Sequence, residues 1–235
     1  MKFAQDVVVV GGCGHVGLPL AIILASKSLK VVAFDTNVQV VAKVNSGEMP
    51  FDEPGASDVL TNVLTTKAFS ASSDRNVVSN AEHVVVVIGT PVDEHLNPDP
   101  EAVPNAVISL LDVLKDGQHL VLRSTVYPGV TKLVEKVIAS SGKKIDVSFC
   151  PERIAEGKAV EELIALPQII SARTPEAVER AKNLFSCLTQ NMIVVSPEEA
   201  ELAKLFTNTW RYIKFAAANQ LYTIANDFGV DFERV

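Results

Sequence analysis

Four consecutive valines, Val7 to Val10, run straight into Gly11-Gly12-Cys13-Gly14-His15-Val16-Gly17, and the apolar stretch Leu18-Pro19-Leu20-Ala21-Ile22-Ile23-Leu24-Ala25 follows without a break. Nothing else in the chain narrows its fold as much. The β-branched run reads as a strand and the stretch after the turn as a helix. Strand, glycine turn and helix in this order are the context in which G-x-G-x-x-G spacing (Gly12, Gly14, Gly17) signals a dinucleotide site. Gly12 permits a tight turn, Gly14 leaves the backbone open to a pyrophosphate, and Gly17 lets the helix pack closely on the strand. The N–H groups at the helix start favour the same anion. His15 and Val16 lie inside the turn on the cofactor side, and the His15 ring is placed to pack over the cofactor rather than to transfer a proton.

The second strand, 31–35, ends in Asp35, some twenty residues past the turn, where a carboxylate accepts hydrogen bonds from an adenosine ribose. A carboxylate there repels a 2′-phosphate, so NAD is expected rather than NADP; the plainer alternative is a surface acid beside the helix cap Asn37. A helix over 38–45 and a polar loop over 47–55 follow. Val84-Val85-Val86-Val87-Ile88 is another continuous apolar run, as a parallel strand buried on both faces requires. It ends in Gly89-Thr90-Pro91, placing Thr90 at the strand's carboxyl end. A helix over 104–114 leads to a strand over 120–123 that ends in Ser124-Thr125, and a strand over 146–150 breaks at Pro151-Glu152-Arg153. In an open α/β sheet these carboxyl ends form the ligand crevice. The expectation is therefore an α/β fold, a Rossmann-like parallel sheet with helices on both faces. Strands over 168–171 and 192–195 flank a helix over 175–188.

Ser196-Pro197-Glu198-Glu199 then opens a last helix, with Ser as N-cap, Pro at N1 and acids in the first turn. It meets no Pro or Gly until Gly229, so it extends over 197–228, roughly 45 Å. The expected division is a dinucleotide-binding domain over 1–196 and, over 197–235, a long connecting helix with the start of a further domain, so that the chain looks cut short. Exposed Phe206, Trp210, Ile213, Phe215 and Leu221 would make that helix a homodimer contact.

On the same helix Lys204 and Asn208 are four apart and Arg211 three further on, so all three share a face. Ammonium, amide and guanidinium in one row suit an oxyanion and an anionic substrate group; spacing alone also allows a solvated face. Glu152 and Glu156 could orient water or accept protons, or could be a loop acid and a helix-starting acid. Cys150 has no thiolate activator nearby in sequence, and His83, His95 and His119 read as strand-start or loop residues.

Composition limits the alternatives. A net charge of −7, with 21 Lys and Arg against 28 Asp and Glu, lacks the basic stretch that nucleic acid demands. Apolar runs of about eight residues fall short of the ~20 that span a bilayer. Three scattered cysteines make no disulfide framework or metal motif, and the start leads directly into a strand with no signal peptide, so a cytoplasmic setting without metal is expected.

Five stretches taken together resemble the UDP-glucose/GDP-mannose dehydrogenases. They are the glycine turn with Leu18-Pro19-Leu20-Ala21, Gly89-Thr90-Pro91, Ser124-Thr125-Val126-Tyr127-Pro128-Gly129, Pro151-Glu152-Arg153-Ile154-Ala155-Glu156-Gly157-Lys158-Ala159, and Glu201-Leu202-Ala203-Lys204 through Asn208-Thr209-Trp210-Arg211. The resemblance implies NAD-dependent oxidation of the C6 alcohol of a UDP-sugar to a carboxylate through a cysteine thiohemiacetal and thioester. It implies that Thr125 positions the hydroxyl and water beside the cofactor and that Glu152 activates the hydrolytic water with Glu156 in support. Lys204 and Asn208 would stabilise the oxyanion, while Arg153, Ile154 and Arg211 would contact the substrate; Thr90 and Glu156 fall among the cofactor contacts. Arg153 after Glu152 resembles members acting on UDP-N-acetylhexosamines such as UDP-N-acetylmannosamine, where UDP-glucose enzymes more often carry Phe. Two departures stand out. The family's nucleophilic cysteine follows the long helix in a Gly-x-Cys segment that this chain does not contain. The basic residue many members place after the ribose acid is replaced near Val40. The competing readings are a UDP-glucose 6-dehydrogenase, a non-catalytic NAD-binding or oligomerisation module, and a β-hydroxyacid dehydrogenase.

Overall fold

A computed structural model of the chain describes residues 3–89, 99–155 and 157–235. Its centre is an eight-stranded sheet in the order β3-β2-β1-β4-β5-β6-β7-β8. The strands are β1 (Gln5–Val10), β2 (Val31–Phe34), β3 (Phe69–Ser72), β4 (Ala81–Val86), β5 (His119–Leu122), β6 (Asp146–Phe149), β7 (Gln168–Ala172) and β8 (Met192–Val195). The valine run is explained by its two faces. Val7 and Val9 enter one core with Val85 and Val121, and Val8 and Val10 enter the other with Val84, Val86, Leu120 and Leu122. The central runs Val7 to Val10 and Val84 to Val86 are apolar without a break because both of their faces are covered.

One cover is α1 (Gly17–Ser26), α2 (Val38–Asn45), α3 (Ala56–Thr65), α6 (Ala159–Ala165) and α7 (Pro175–Phe185). The other is α4 (Ala102–Leu110), α5 (Val130–Ser140) and the start of α8 (Pro197–Asp227). α1 is buried from Gly17 to Ala25, because it lies between the sheet and its neighbours α3 and α6. Sequence reading passed over α3 and β3, placed α4 two residues late, and started β4 three residues late.

The sheet is parallel up to β6, and then β7 pairs antiparallel, with Ser148 opposite Ala172 and Phe149 opposite Ser171. The reversal matters for the site. It brings Gln168, the first residue of β7, to the edge where β1, β4, β5 and β6 end, and it carries β8 away from that edge. α8 therefore starts at the far side, and at 1.5 Å per residue its first two turns climb back along the sheet. Ser196 and Glu199 close a reciprocal capping box at its start. Lys204 arrives at the ligand edge two turns later.

Candidate active site

The glycine turn is fixed by contacts that only some of its glycines need. Gly11 has φ +73°, and a Cβ there would lie 2.0 Å from the Val87 carbonyl oxygen. At Gly12 it would meet the Val9 oxygen at 2.5 Å and the Ala33 Cα at 2.8 Å, and at Gly17 the Gly11 oxygen at 2.3 Å. The sharp turn that sequence reading assigned to Gly12 is thus made at Gly11, and Gly12 is where β1 and β2 touch. Gly14 differs. A Cβ there meets only the Gly11 oxygen, at an ordinary 3.6 Å, so the protein's own packing leaves that position open. No side chain caps the start of α1 beside it. An open glycine at an uncapped helix N-terminus fits a pyrophosphate.

Asp35 lies at the end of β2, its Oδ2 accepting the Cys13 N–H at 3.1 Å and its Oδ1 the Asn37 N–H at 3.0 Å. It lines a cavity of about 170 Å³ with Gly11, Phe34, Thr36 and Ile88. Val16 is half-buried against the core. The exposed His15 ring stacks on Phe51, with ring centroids 4.1 Å apart. Thr90, His95 and Glu156 fall outside the described residues.

At the end of β5, Ser124 Oγ accepts the Ile88 N–H and donates to the Ile88 carbonyl, both at 2.9 Å, tying the ends of β4 and β5 together. Thr125 follows on the wall of a cavity of about 350 Å³ formed with Val103, Val126, Val130, Leu205 and Thr209. A second cavity, about 410 Å³, lies between the loop after β6 and α8, and its lining is Ile154, Ala155, Lys204, Asn208, Arg211, Tyr212 and Phe215. Four of the residues marked for substrate or oxyanion therefore share one wall. Arg153 is not on it. Its guanidinium bonds the Pro167 carbonyl, while its own carbonyl accepts from Arg211 at 3.0 Å.

Lys204 is 8 % exposed and Glu201 1 %, so the solvated-face alternative does not hold for them. Burial pushes the Lys204 ammonium down to about 8; Glu152 resists the shift, and Arg211, Arg123 and Arg153 add to it. Glu201 turns the other way and accepts the N–H groups of Gly129 (2.7 Å) and Thr131 (2.8 Å), where α5 begins.

Glu152 is buried, and its carboxylate is fully engaged. Oε2 pairs with Arg123, and Oε1 accepts the N–H groups of Arg153 (2.7 Å) and Ile154 (3.2 Å). Arg123 is itself buried, also reaching Gln168 Oε1 at 3.3 Å and lying 4.6 Å from the centroid of the Phe185 ring. Sequence reading missed Arg123, although a charge ending an apolar strand was a usable signal. It also missed Glu53, whose carboxylate accepts the N–H groups of Gly157 (3.0 Å) and Ala159 (2.7 Å). No local pattern marks a contact across 104 residues.

Burial holds the thiols in their protonated form, Cys13 pushed up to about 12 with Asp35 adding to the effect, and Cys150 to about 11 against opposition from Arg123. His83 and His119 pair through their Nδ1 atoms at 3.0 Å at the start of β4 and β5, remote from the site. Among the described residues no group of three His, Cys, Asp or Glu could hold a metal, and no helix is long and apolar enough to cross a membrane.

Residues 5–189 match the sequence profile of the UDP-glucose/GDP-mannose dehydrogenase family, NAD-binding domain. The UDP-N-acetyl-D-mannosamine dehydrogenase of Methanococcus maripaludis is 32% identical over 225 residues, covering 94% of this chain and 51% of that protein. The Escherichia coli protein of the same name is 30% identical over 244 residues, covering 98% and 57%. Among solved structures, the UDP-D-ManNAc dehydrogenase of Pyrococcus horikoshii superposes with a TM-score of 0.88 at 26% identity, covering 98% of this chain and 56% of that one. The chain thus spans about half the length of the relatives it matches.

Proposed function

This chain belongs to the UDP-glucose/GDP-mannose dehydrogenase family and contains its NAD-binding domain; from that premise we propose that it is the cofactor half of an enzyme oxidising the C6 alcohol of a UDP-N-acetylhexosamine, such as UDP-N-acetylmannosamine, to the uronate. The observation that carries the reading is the convergence of Lys204, Asn208 and Arg211 with Ile154 on one cavity, in a chain whose glycine turn leaves Gly14 open. The division at residue 196, a homodimer through the helix over 197–228 and a cytoplasmic setting belong to the same proposal.

NAD, when bound, accepts hydride. Gly14 and the start of α1 take its pyrophosphate, with His15 and Val16 beside it, and Asp35 takes a ribose hydroxyl. The Lys204 ammonium and Asn208 amide face the substrate oxygen, where they stabilise negative charge as the hydroxyl proton passes to a solvent water. Arg211 supplies a cation for an anionic group, and Thr125 positions the hydroxyl from the β5 side. Glu152, engaged by three donors, acts through the placement of Arg153 and Ile154 as much as through any water it orients. Arg153 serves the substrate by its backbone, and Thr90 and Glu156 complete the cofactor contacts.

The test has two arms. Calorimetry of the chain with NAD should give saturable binding and a rise in melting temperature; absence of both at saturating NAD removes the cofactor claim. Joined to the C-terminal half of a family member, the chain should form two NADH per UDP-N-acetylmannosamine consumed. NADH formation with UDP-glucose alone would reassign the sugar.

A further inference from the structure

The segment over 46–55, between α2 and α3, touches both halves of the proposed site. In its middle the Phe51 ring stacks on His15 inside the glycine turn. Two residues further on, Glu53 reaches across the molecule. It is 5 % exposed, and its two oxygens take the N–H groups of Gly157 and Ala159. Those N–H groups end the loop whose earlier residues, Ile154 and Ala155, wall the Lys204 cavity. Ala155 is fixed from the same side, its N–H bonding Glu162 of α6 at 2.6 Å.

The segment is built to hold its shape. Gly47 and Gly55 bound it in the left-handed region, at φ +86° and +79°, Pro50 and Pro54 restrict its interior, and Met49 and Phe51 pack against the core. Only Asp52 lies between Phe51 and Glu53, so the ring stack and the buried carboxylate are joined by two peptide bonds.

We propose that Glu53 is a positioning residue that couples occupancy of the glycine turn to the order of the substrate-loop backbone at residues 153–155 and 157–159. This rests on the reading of the turn as an NAD site. A dinucleotide over Gly14 lies beside the His15–Phe51 stack and restrains it; Glu53 then holds Gly157 and Ala159 more firmly, and the cavity wall at Ile154 is set before the sugar arrives. Coupling of this kind is a difference in ligand affinity between loop-closed and loop-open states.

Amide hydrogen exchange of the 235-residue chain tests this, with and without NAD at ten times the Kd measured for each variant. In the wild type NAD should slow exchange at residues 153–159 by about fivefold, within the usual range of site-to-site coupling. In Glu53→Gln, which weakens one acceptor, and in Phe51→Ala, which cuts the other end of the segment and leaves the Glu53 bonds intact, the slowing should fall below about twofold. A purely structural role predicts faster exchange in Glu53→Gln with the NAD effect preserved, and that result overturns the proposal. So does a wild type that binds NAD without any change at 153–159. A wild type that binds no NAD overturns the site reading itself, which is a distinguishable failure.

Discussion

Gly12 and Gly14 look equivalent in the motif and are not equivalent in the protein. A methyl group at Gly12 would press on the Val9 carbonyl and the Ala33 backbone, both within 2.8 Å, so β1 and β2 would have to part. At Gly14 the same methyl group has room. Gly14→Ala should therefore leave the melting temperature unchanged or slightly raised while NAD affinity falls at least about tenfold, roughly 1.4 kcal/mol. Gly12→Ala should cost stability before binding can be asked about. Thermal melts beside NAD titrations separate the two. At Lys204 burial works against a charge. Its folded pKa of about 8 lies below the 10.5 of a free lysine, so the unfolded chain binds more protons between those values and stability rises with pH across that window. Below pH 8 the full penalty of the buried ammonium is present, about 3 kcal/mol at most. Lys204→Met should thus stabilise the chain at pH 7, and its advantage should shrink as pH rises through 8 towards 10.5. A variant no more stable than wild type at pH 7 would mean that the ammonium is not strained by burial. The cation kept at this cost is the one that faces the substrate oxygen in the proposed reaction.

Elements in this protein are locked together by single carboxylates that reach far along the chain. α5 starts at Gly129, in the left-handed region at φ +97°, with no capping side chain of its own. Glu201 of α8 supplies the missing acceptor for two of its N–H groups. Glu201→Ala leaves both without a charged partner, and at ~1–2 kcal/mol for each lost bond, given access of water at exposed Gly129, the loss should be about 2–3 kcal/mol. Urea unfolding should show the midpoint lowered with an unchanged slope. A loss under about 0.5 kcal/mol would mean that water replaces the carboxylate. These locks also mark where sequence reading stops. The strands Val7 to Val10 and Val84 to Val86 were legible because burial on two faces leaves an unbroken apolar run. The rise of Lys204, Asn208 and Arg211 on one face was legible because helical period fixes it. β3, with the sequence Phe69-Ser70-Ala71-Ser72, carries no such run, since it is the edge strand and needs cover mainly from α2 and α3. The reversal at β7 was not legible either, because strand direction depends on the path of the connection and not on the side chains. Glu53 and Glu201 were hidden for a similar reason: each is one acid among many until the fold brings a helix start to it.

Over the whole molecule, α8 is the element with two tasks. Its first turns bury Pro197, Ala200, Glu201 and Lys204 against the sheet, and beyond them only Ala225 is buried. The rest projects with Trp210 60 % and Phe206 66 % exposed, and with Ile213, Phe215, Leu221 and Tyr222 also open. Lys204, Asn208 and Arg211 follow one stripe at spacings of four and three. Phe206, Trp210 and Ile213 follow a second at the same spacing, offset by two residues, which on an α-helix is about 200° away. The Phe206, Trp210 and Ile213 stripe is therefore on the opposite side of the helix from the site, while Phe215 lies on the site side and lines its cavity, and covering the stripe leaves the site open. An apolar surface of this extent is larger than a monomer normally leaves in water, and the self-complementary solution is an isologous pair of helices. The chain should run at twice its own mass by light scattering at tens of micromolar. Phe206→Glu combined with Ile213→Glu, placing two charges in the shared face, should return it to the monomer. Because the cofactor turn lies at the end of β1, the same double variant should keep its NAD affinity within about twofold, since additivity holds for sites that share no contacts. A wild-type chain that stays monomeric at these concentrations, or a double variant that stays dimeric, would show that the apolar stripe of α8 is not what pairs the molecules.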